Sequence, residues 1–303
     1  MRIGINGSSQ VLFGVAIDDI ARHAAEAEEQ GFASYWLNQT SGTDALTVLA
    51  VVGHETERIG LGTAVVHTWA RHPEMLAGQS LTVQAASGNR FQLGVGLAHQ
   101  PSVEGRYKIP FEKPVRHMRE YLSILVPLIE KRSVDFEGEI WSCATDFTVP
   151  PADPCPVLVA ALGPQMLRLA GRMAAGTVLW LVGPRTVAEH IAPTINGAAE
   201  EAGRPARRIV ASLPICVTDD VQGMRGTIGE ILAGYNDLPS YRAMLDREGA
   251  EGPADVAIVG DEAKVNAELD RLAEAGTTEF AAVEVARGEE EQQRTRELLR
   301  ARL

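Results

Sequence analysis

The chain has 303 residues, 45% of them hydrophobic and 5% aromatic, and a formal net charge of −12. The length and hydrophobic content are enough for one large core or two modest ones. The negative net charge argues against nucleic acid or an anionic membrane as a partner. Three scattered cysteines (Cys143, Cys155 and Cys216) match neither a disulfide framework nor a metal-ligand spacing, so no metal site is predicted. The sequence enters a strand pattern at once and has no membrane-spanning run, so we expect a cytoplasmic protein.

Strand and helix patterns alternate along the chain. Apolar segments predict eight strands, over Arg2–Asn6, Ser34–Leu37, Arg58–Val66, Arg90–Leu97, Val157–Leu162, Thr177–Val182, Ile209–Val217 and Glu279–Val285. Helical patterns separate them, and two polar stretches (Gln100–Pro114 and Arg132–Cys155) read as insertions. We therefore predict a single (β/α)8 TIM barrel over residues 1–303, with insertions in the βα loops.

A doubly wound sheet is the competing architecture. Its dinucleotide fingerprint would have to be Gly94-Val-Gly96-Leu-Ala-His99, where histidine stands in place of the third glycine. This cluster also lies too far along the chain for the first strand and turn of such a fold. The barrel is therefore favoured.

The segment Val157–Gly176 is the most informative local pattern. A buried strand is broken at Gly163-Pro164, and a helix then starts with proline at its first position. This order leaves backbone N–H groups and the positive end of a helix dipole at the carboxyl end of the strand, which suits a phosphate. An ordinary βα loop is the alternative.

Candidate functional residues follow from the barrel, because barrel enzymes build their sites at the carboxyl ends of the strands. The residues expected there are Asn6, Asn38, Gln39, Thr63, Ala64, Val65, His67, Gly96, Ala98, His99, Ala160, Ala161 and Gly163. They include no pair of carboxylates, which argues against hydrolysis by paired acids or a metal. They are rich in small residues, which would let a flat redox cofactor lie against the backbone.

Four motifs, in order, resemble the luciferase-like monooxygenase superfamily. They are Ile59-Gly-Leu-Gly-Thr-Ala-Val65, Arg71-His-Pro73, Arg90-Phe-Gln-Leu-Gly-Val-Gly96 and Ala161-Leu-Gly-Pro-Gln-Met-Leu167. Within that superfamily the chain is most similar to the branch, mostly actinobacterial, that uses the deazaflavin coenzyme F420. The stretches Leu238–Asp246 and Ala257–Asp261 are also similar to members of this branch.

The resemblance implies that the cofactor ring lies at the carboxyl end of the barrel. It places the phosphate on the turn of Leu162, Gly163, Pro164, Gln165, Met166 and Leu167. Asn6, Thr63, Gly96, Ala98, Ala160 and Ala161 would complete the cofactor site. The resemblance also implies a non-prolyl cis peptide behind the ring, which would correspond to Ala64–Val65.

The chain departs from the branch at one position. Sugar-phosphate and alcohol dehydrogenases of this branch have a histidine at the end of the second strand, whereas this sequence has Asn38-Gln39. An amide cannot accept a proton at neutral pH, so alcohol oxidation is disfavoured. We predict an F420-dependent reductase of an enone- or imine-type small molecule, with Asn38, Gln39, His67 and His99 as catalytic candidates.

Two alternatives stay open. FMN would fit the same turn and would permit oxygen activation, giving a monooxygenase. A non-catalytic F420-binding protein would also explain the small number of acid and base groups. A homodimer is expected, as is common in this superfamily, because the helix Thr43–His54 is apolar nearly all round; burial in the core is the other explanation.

Overall fold

The computed structural model describes residues 1–39 and 42–303 and contains a closed barrel of eight parallel strands. In barrel order these are β1 (Arg2–Asn6), β2 (Ser34–Leu37), β3 (Gly60–Thr63), β5 (Phe91–Gly96), β8 (Val157–Val159), β9 (Gly176–Trp180), β10 (Arg208–Ser212) and β13 (Glu279–Glu284). The barrel closes where β1 pairs with β13, with Ile3 opposite Phe280. The (β/α)8 prediction is confirmed.

Helices lie between the strands and cover the barrel. They are α1 (Ser8–Leu12), α2 (Ile17–Glu29), α3 (Ala45–Glu55), α4 (Pro73–Ala86), α5 (Gln100–Ser102), α6 (Pro114–Lys131), α7 (Pro164–Met173), α8 (Pro184–Thr186), α9 (Ala192–Glu201), α10 (Val221–Leu232), α11 (Pro239–Glu248), α12 (Glu262–Glu274) and α13 (Glu289–Arg300). Among the described residues, no helix is both long enough and apolar enough to cross a membrane.

The remaining strands extend or decorate the barrel. The predicted third strand is divided, because β4 (Val66–His67) is a separate piece that pairs with β5. The predicted seventh strand is divided too, and its second half β11 (Pro214–Val217) pairs with β13 and with β12 (Ile258–Gly260). The hairpin of β6 (Ser133–Phe136) and β7 (Cys143–Asp146) enters between α6 and β8, on an α-to-β connection.

An apolar layer fills the middle of the barrel. It consists of Trp36, Leu158, Val178, Val210 and Ala281, all buried, with Ala64 and Val65 packed against it. A larger core lies between the strands and the helices outside them. The barrel interior is therefore a packed core, and a ligand can lie only at one of its ends.

The amino end of the barrel is closed by a polar cluster around Glu279, which is 1% exposed. One carboxylate oxygen accepts hydrogen bonds from Ser34 at 2.6 Å and from Trp36 Nε1 at 2.9 Å, and the other binds Arg2 and Arg208. Burial alone would raise the pKa of Glu279, but these partners hold it below its ordinary value. We call Glu279, Ser34, Trp36, Arg2 and Arg208 the amino-end cluster.

Candidate functional site

The carboxyl end of the barrel has a floor of short polar side chains above the apolar layer. Asn6, from β1, donates a hydrogen bond from Nδ2 to Ser212 Oγ at 3.1 Å, across to β10. The Asn6 Oδ1 atom accepts from the backbone N–H and the hydroxyl of Ser8. Asn6 and Ser212 are both buried, so their hydrogen bond forms the floor of any site at the carboxyl end.

A continuous rim of small residues runs from β2 to β8 around this floor. The Gln39 N–H donates to the carbonyl of Val65 at 3.0 Å. Val65 lies against Gly96, where a Cβ atom would be 2.6 Å from Val65 Cγ2 and 3.2 Å from Ala160 Cβ. The peptide bond between Ala64 and Val65 is cis, as the family resemblance implied. The structure therefore brings these residues of β2, β3, β5 and β8 together at one edge.

Asn38 is the most distinctive member of the rim. Its side chain follows the inward-facing Trp36 by two residues, so strand alternation directs it toward the barrel interior. Its backbone N–H donates to Ser8 Oγ at 2.9 Å, whereas the Oδ1 atom is buried and has no hydrogen-bond partner among the described residues. An unpartnered buried acceptor costs about 1–3 kcal/mol, and a bound hydrogen-bond donor would remove this cost.

The neighbouring Gln39 has a different environment. Its Oε1 accepts from the N–H of Ala45 at 3.0 Å and from Arg71, and its Nε2 donates to the carbonyl of Thr43 at 3.2 Å. Arg71 is in turn paired with Asp44, whose side chain caps α3. The amide of Gln39 therefore holds the connection into α3, and its catalytic role stays a prediction.

Several residues predicted to bind the cofactor have side chains that are engaged within the protein. The Thr63 hydroxyl is occupied within the sheet, where it bonds both the carbonyl and the N–H of Gly94 at 2.8 Å. The side chains of Ala161, Met166 and Leu167 are buried in the core. Ala98 has a left-handed backbone (φ 59°) where the chain leaves β5.

The N-terminus of α7 follows the rim directly. Gly163 is the N-cap, Pro164 occupies the first turn, and no side chain of the described residues caps this helix. Gly163, Pro164 and Gln165 are exposed, and a Cβ atom on Gly163 would meet nothing within 4 Å. His190 donates from Nε2 to the carbonyl of Leu162 at 2.8 Å and so fixes the turn. The open N–H groups here suit an anion, as predicted.

Two imidazoles stand on the β5 side of the rim. His67 ends β4 and lies opposite Gly96, and His99 follows β5. Burial, with positive neighbours, lowers the pKa of His67 to about 4, and burial lowers the pKa of His99 as well. Both rings are therefore neutral at pH 7. The Nδ1 atom of His67 lies 3.3 Å from the Tyr107 hydroxyl.

Aromatic rings continue from His99 toward β9. The His99 ring meets Tyr241 edge-on at 5.6 Å and Tyr235 at 6.0 Å, and Tyr235 in turn lies 6.3 Å from Trp180. Tyr235 and Tyr241 are 4.8 Å apart. We call His99, Trp180, Tyr235 and Tyr241 the ring wall. All four side chains are half-buried.

Sequence reasoning missed Ser212, Tyr107 and His190. Ser212 was missed because the seventh strand was predicted to continue to Val217, whereas in the structure its first half ends at Ser212. Tyr107 and His190 lie in π-helical turns (Val103–Tyr107 and Val187–Ile191), which no simple apolar period indicates. Their contacts with His67 and Leu162 arise only in the folded chain.

The carboxyl end thus offers a flat, small-residue rim, an unpartnered buried amide oxygen and an open helix N-terminus. These features fit a planar ring that carries hydrogen-bonding edges and a phosphate, and the fold is a (β/α)8 barrel with its candidate site at the carboxyl end. The luciferase-like monooxygenase family model matches residues 2–299, and the chain belongs to this family.

Named relatives are consistent with this assignment. The chain is 30% identical over 232 residues to a Mycobacterium tuberculosis protein named as a candidate coenzyme F420-dependent oxidoreductase, covering 71% of this chain and 67% of the relative. It is 26% identical over 247 residues to the 5,10-methylenetetrahydromethanopterin reductase of Methanolobus tindarius, covering 81% and 75%.

The solved structures agree in fold. The F420-dependent tetrahydromethanopterin reductase of Methanopyrus kandleri superposes with a TM-score of 0.81 at 22% identity, covering 99% of this chain and 97% of the other. At this identity the likeness concerns the fold alone.

Proposed function

We propose that this protein is a coenzyme F420-dependent oxidoreductase that acts as a reductase of an unsaturated small molecule of the enone or imine type. The observation that carries the proposal is the buried, unpartnered Oδ1 atom of Asn38 at the carboxyl end of β2. An amide at this position binds a hydrogen-bond donor but does not take a substrate proton, which favours reduction over alcohol oxidation. The F420-dependent name of the Mycobacterium tuberculosis relative supports the cofactor.

Each part of the site has a task in this proposal. The N–H groups of Gln165 and Met166 would hold the phosphate, and the rim of Val65, Gly96 and Ala160 would support the ring. When bound, the reduced deazaflavin supplies a hydride. His67 or His99 would give the substrate a hydrogen bond, and the one proton that the reduction takes up would pass through that imidazole or come from water. Because His67 is neutral at pH 7, it must take up a proton to replace one it gives, and Tyr107 beside its Nδ1 atom can relay one.

Titration of the purified protein with F420 and, separately, with FMN tests the proposal through the quenching of cofactor fluorescence. We expect F420 to bind and the bound reduced form to be oxidised by at least one member of a panel of enones and imines. Binding of FMN alone would favour the monooxygenase alternative. Binding of F420 without oxidation by any acceptor would favour a carrier.

A further inference from the structure

The ring wall differs in chemistry from the rest of the site. Its members come from three separate parts of the chain: His99 follows β5, Trp180 ends β9, Tyr235 lies between α10 and α11, and Tyr241 lies in the first turn of α11. The long connection after β11 therefore crosses to the β5 side of the barrel. Its tyrosines complete a row of four rings at the end where the cofactor site lies.

The geometry of the wall leaves ring surface exposed to solvent. The ring planes of Tyr235 and Tyr241 are inclined at 74°, and that of His99 is inclined at 71° to Tyr241 and at 88° to Tyr235. Edge-to-face contacts of this kind hold the rings rigidly without covering all their faces. Each residue is half-buried, and Trp180, Tyr235 and Tyr241 pack against the main core, so the wall is a preformed aromatic surface at the border of the core.

The wall is also uncharged. Burial alone lowers the pKa of His99, burial and the neighbouring Tyr235 raise that of Tyr241, and burial raises that of Tyr235. The cations that act on the nearby His67 do not shift the pKa of the ring-wall residues: Arg71 is paired with Asp44, and Arg106 is exposed. A charged substrate group placed against these rings would lose its hydration without gaining an ionic partner.

A second group of rings in the same molecule provides a contrast. Trp69 stacks on His117 at 3.8 Å, with Tyr121 on the other side of the imidazole, and all three are buried. Those rings cover one another and belong to the packed exterior of the barrel. The ring wall, by contrast, combines aromatic side chains, partial exposure and a position at the carboxyl end.

We propose that the ring wall is the substrate subsite and that it selects an uncharged, flat, conjugated ring over anionic or saturated substrates. This inference rests on the proposed function only in taking the carboxyl end as the place where substrate binds. Tyr235 and Tyr241 would stack on the substrate ring, and Trp180 and His99 would limit its position.

The test uses the full chain without cofactor, so its outcome is independent of cofactor choice and turnover. Calorimetric titration compares 2-acetonaphthone, a flat neutral ketone, with 2-naphthoate, which has the same ring and a carboxylate, and with cyclohexyl methyl ketone, which is neutral but not flat. We expect 2-acetonaphthone to bind at least about tenfold more tightly than either. Equal affinity for the three would overturn the proposal.

Substitutions in the ring wall test whether 2-acetonaphthone binds there. Tyr235→Leu should weaken the binding of 2-acetonaphthone on the order of 2- to 13-fold, the range equivalent to an aromatic contact of about 0.5–1.5 kcal/mol. Tyr235→Phe keeps the ring and should retain wild-type affinity. His99→Leu serves as a second variant, with circular dichroism to check folding. Unchanged affinity in both leucine variants would show that the wall does not bind the ring, whereas F420 titration reports separately on the proposed function.

Discussion

At the amino end of the barrel both carboxylate oxygens of Glu279 have hydrogen-bond partners, whereas at the carboxyl end the amide oxygen of Asn38 is buried without one. Strand β2 takes part at both ends of the barrel. It contributes Ser34 and Trp36 to the amino-end cluster, and Asn38 follows it at the carboxyl end. The two ends differ in whether the polar atoms find partners within the protein.

This difference indicates that the two ends have separate roles, the amino end in stability and the carboxyl end in ligand binding. A closed polar cluster stabilises the fold only while all its members are present, because removal of one leaves the others buried and unpaired. An end that keeps a polar atom unpartnered gives up some stability and retains affinity for a ligand that can pair with it. Substitutions at the amino end should therefore change stability, and those at the carboxyl end should change binding.

The largest effect on stability is expected at the amino end. Glu279→Leu leaves the hydroxyl of Ser34 and the guanidinium of Arg208 without their acceptor, whereas the indole N–H of Trp36 keeps Ser34 Oγ at 2.8 Å. The free energy of unfolding should fall by about 2–5 kcal/mol. Urea denaturation measures this. Glu279→Gln keeps an acceptor and should cost less. The folded fraction should still bind the cofactor with wild-type affinity, and a loss of affinity would contradict the separation of the two ends.

A pH effect is expected from His117, which is fully buried beside the carboxyl-end residue Thr68. Trp141 Nε1 donates to its Nδ1 atom at 3.3 Å, so protonation would break this bond. Burial lowers the pKa of His117 to about 4, below its ordinary 6.5. The unfolded chain therefore binds the proton first, and stability should fall as the pH drops from 6.5 toward 4, by about 2 kcal/mol at pH 5.

Urea midpoints measured at intervals between pH 7 and pH 4 test this. The variant His117→Phe removes the titrating group and should show a shallower decline than the wild type over the same interval. An identical decline in both would mean that His117 is not responsible.

A smaller effect, with opposite signs for stability and binding, is expected at α7. Gly163 has an extended backbone (φ −77°, ψ 153°) and room for a side chain, so Gly163→Asp can cap the helix. A cap and a favourable dipole contact should raise stability by about 0.5–1 kcal/mol. The added carboxylate should repel the cofactor phosphate and weaken binding at least about tenfold.

Gly163→Asn is the matched control, because it caps the helix without a charge. Thermal unfolding and cofactor titration of both variants separate the two effects. Retention of full cofactor affinity in the aspartate variant would rule out the α7 N-terminus as the phosphate site.

The smallest effect on stability is expected at Asn38. Asn38→Ala removes a buried oxygen that has no partner, so the free energy of unfolding should change by less than about 1 kcal/mol. Turnover with F420 should fall more than tenfold if this amide positions the ring or the substrate, an amount equivalent to about 1.4 kcal/mol. Steady-state kinetics with the reduced cofactor decides this, and unchanged turnover would remove Asn38 from the site.

Much of this architecture could be predicted from local patterns. Arg2–Asn6 and Ser34–Leu37 form strands with the predicted bounds, and Asp261 caps α12 as its position before an apolar periodic run suggests. The turn at Gly163-Pro164 is also local, because proline fixes the backbone at the first helical position. The position of the candidate residues at one end of the barrel then followed from the rule that the carboxyl ends of parallel strands meet at one edge.

Side-chain pairing could not be predicted in this way. Nothing near Gln39 in the sequence shows that Arg71 would bind its amide, and nothing near His99 shows that Tyr235 and Tyr241 would lie beside it. These contacts depend on where long connections return, which the whole fold decides.

The sequence by itself determined the alternation of strands and helices, the carboxyl-end position of the candidate residues and the open α7 N-terminus, because these depend on period, proline and glycine. Tertiary structure alone decided which polar groups are partnered. It closed the Glu279 cluster, engaged Gln39 and left the Asn38 oxygen unpaired, since hydrogen bonding across strands depends on distances that only the closed barrel sets.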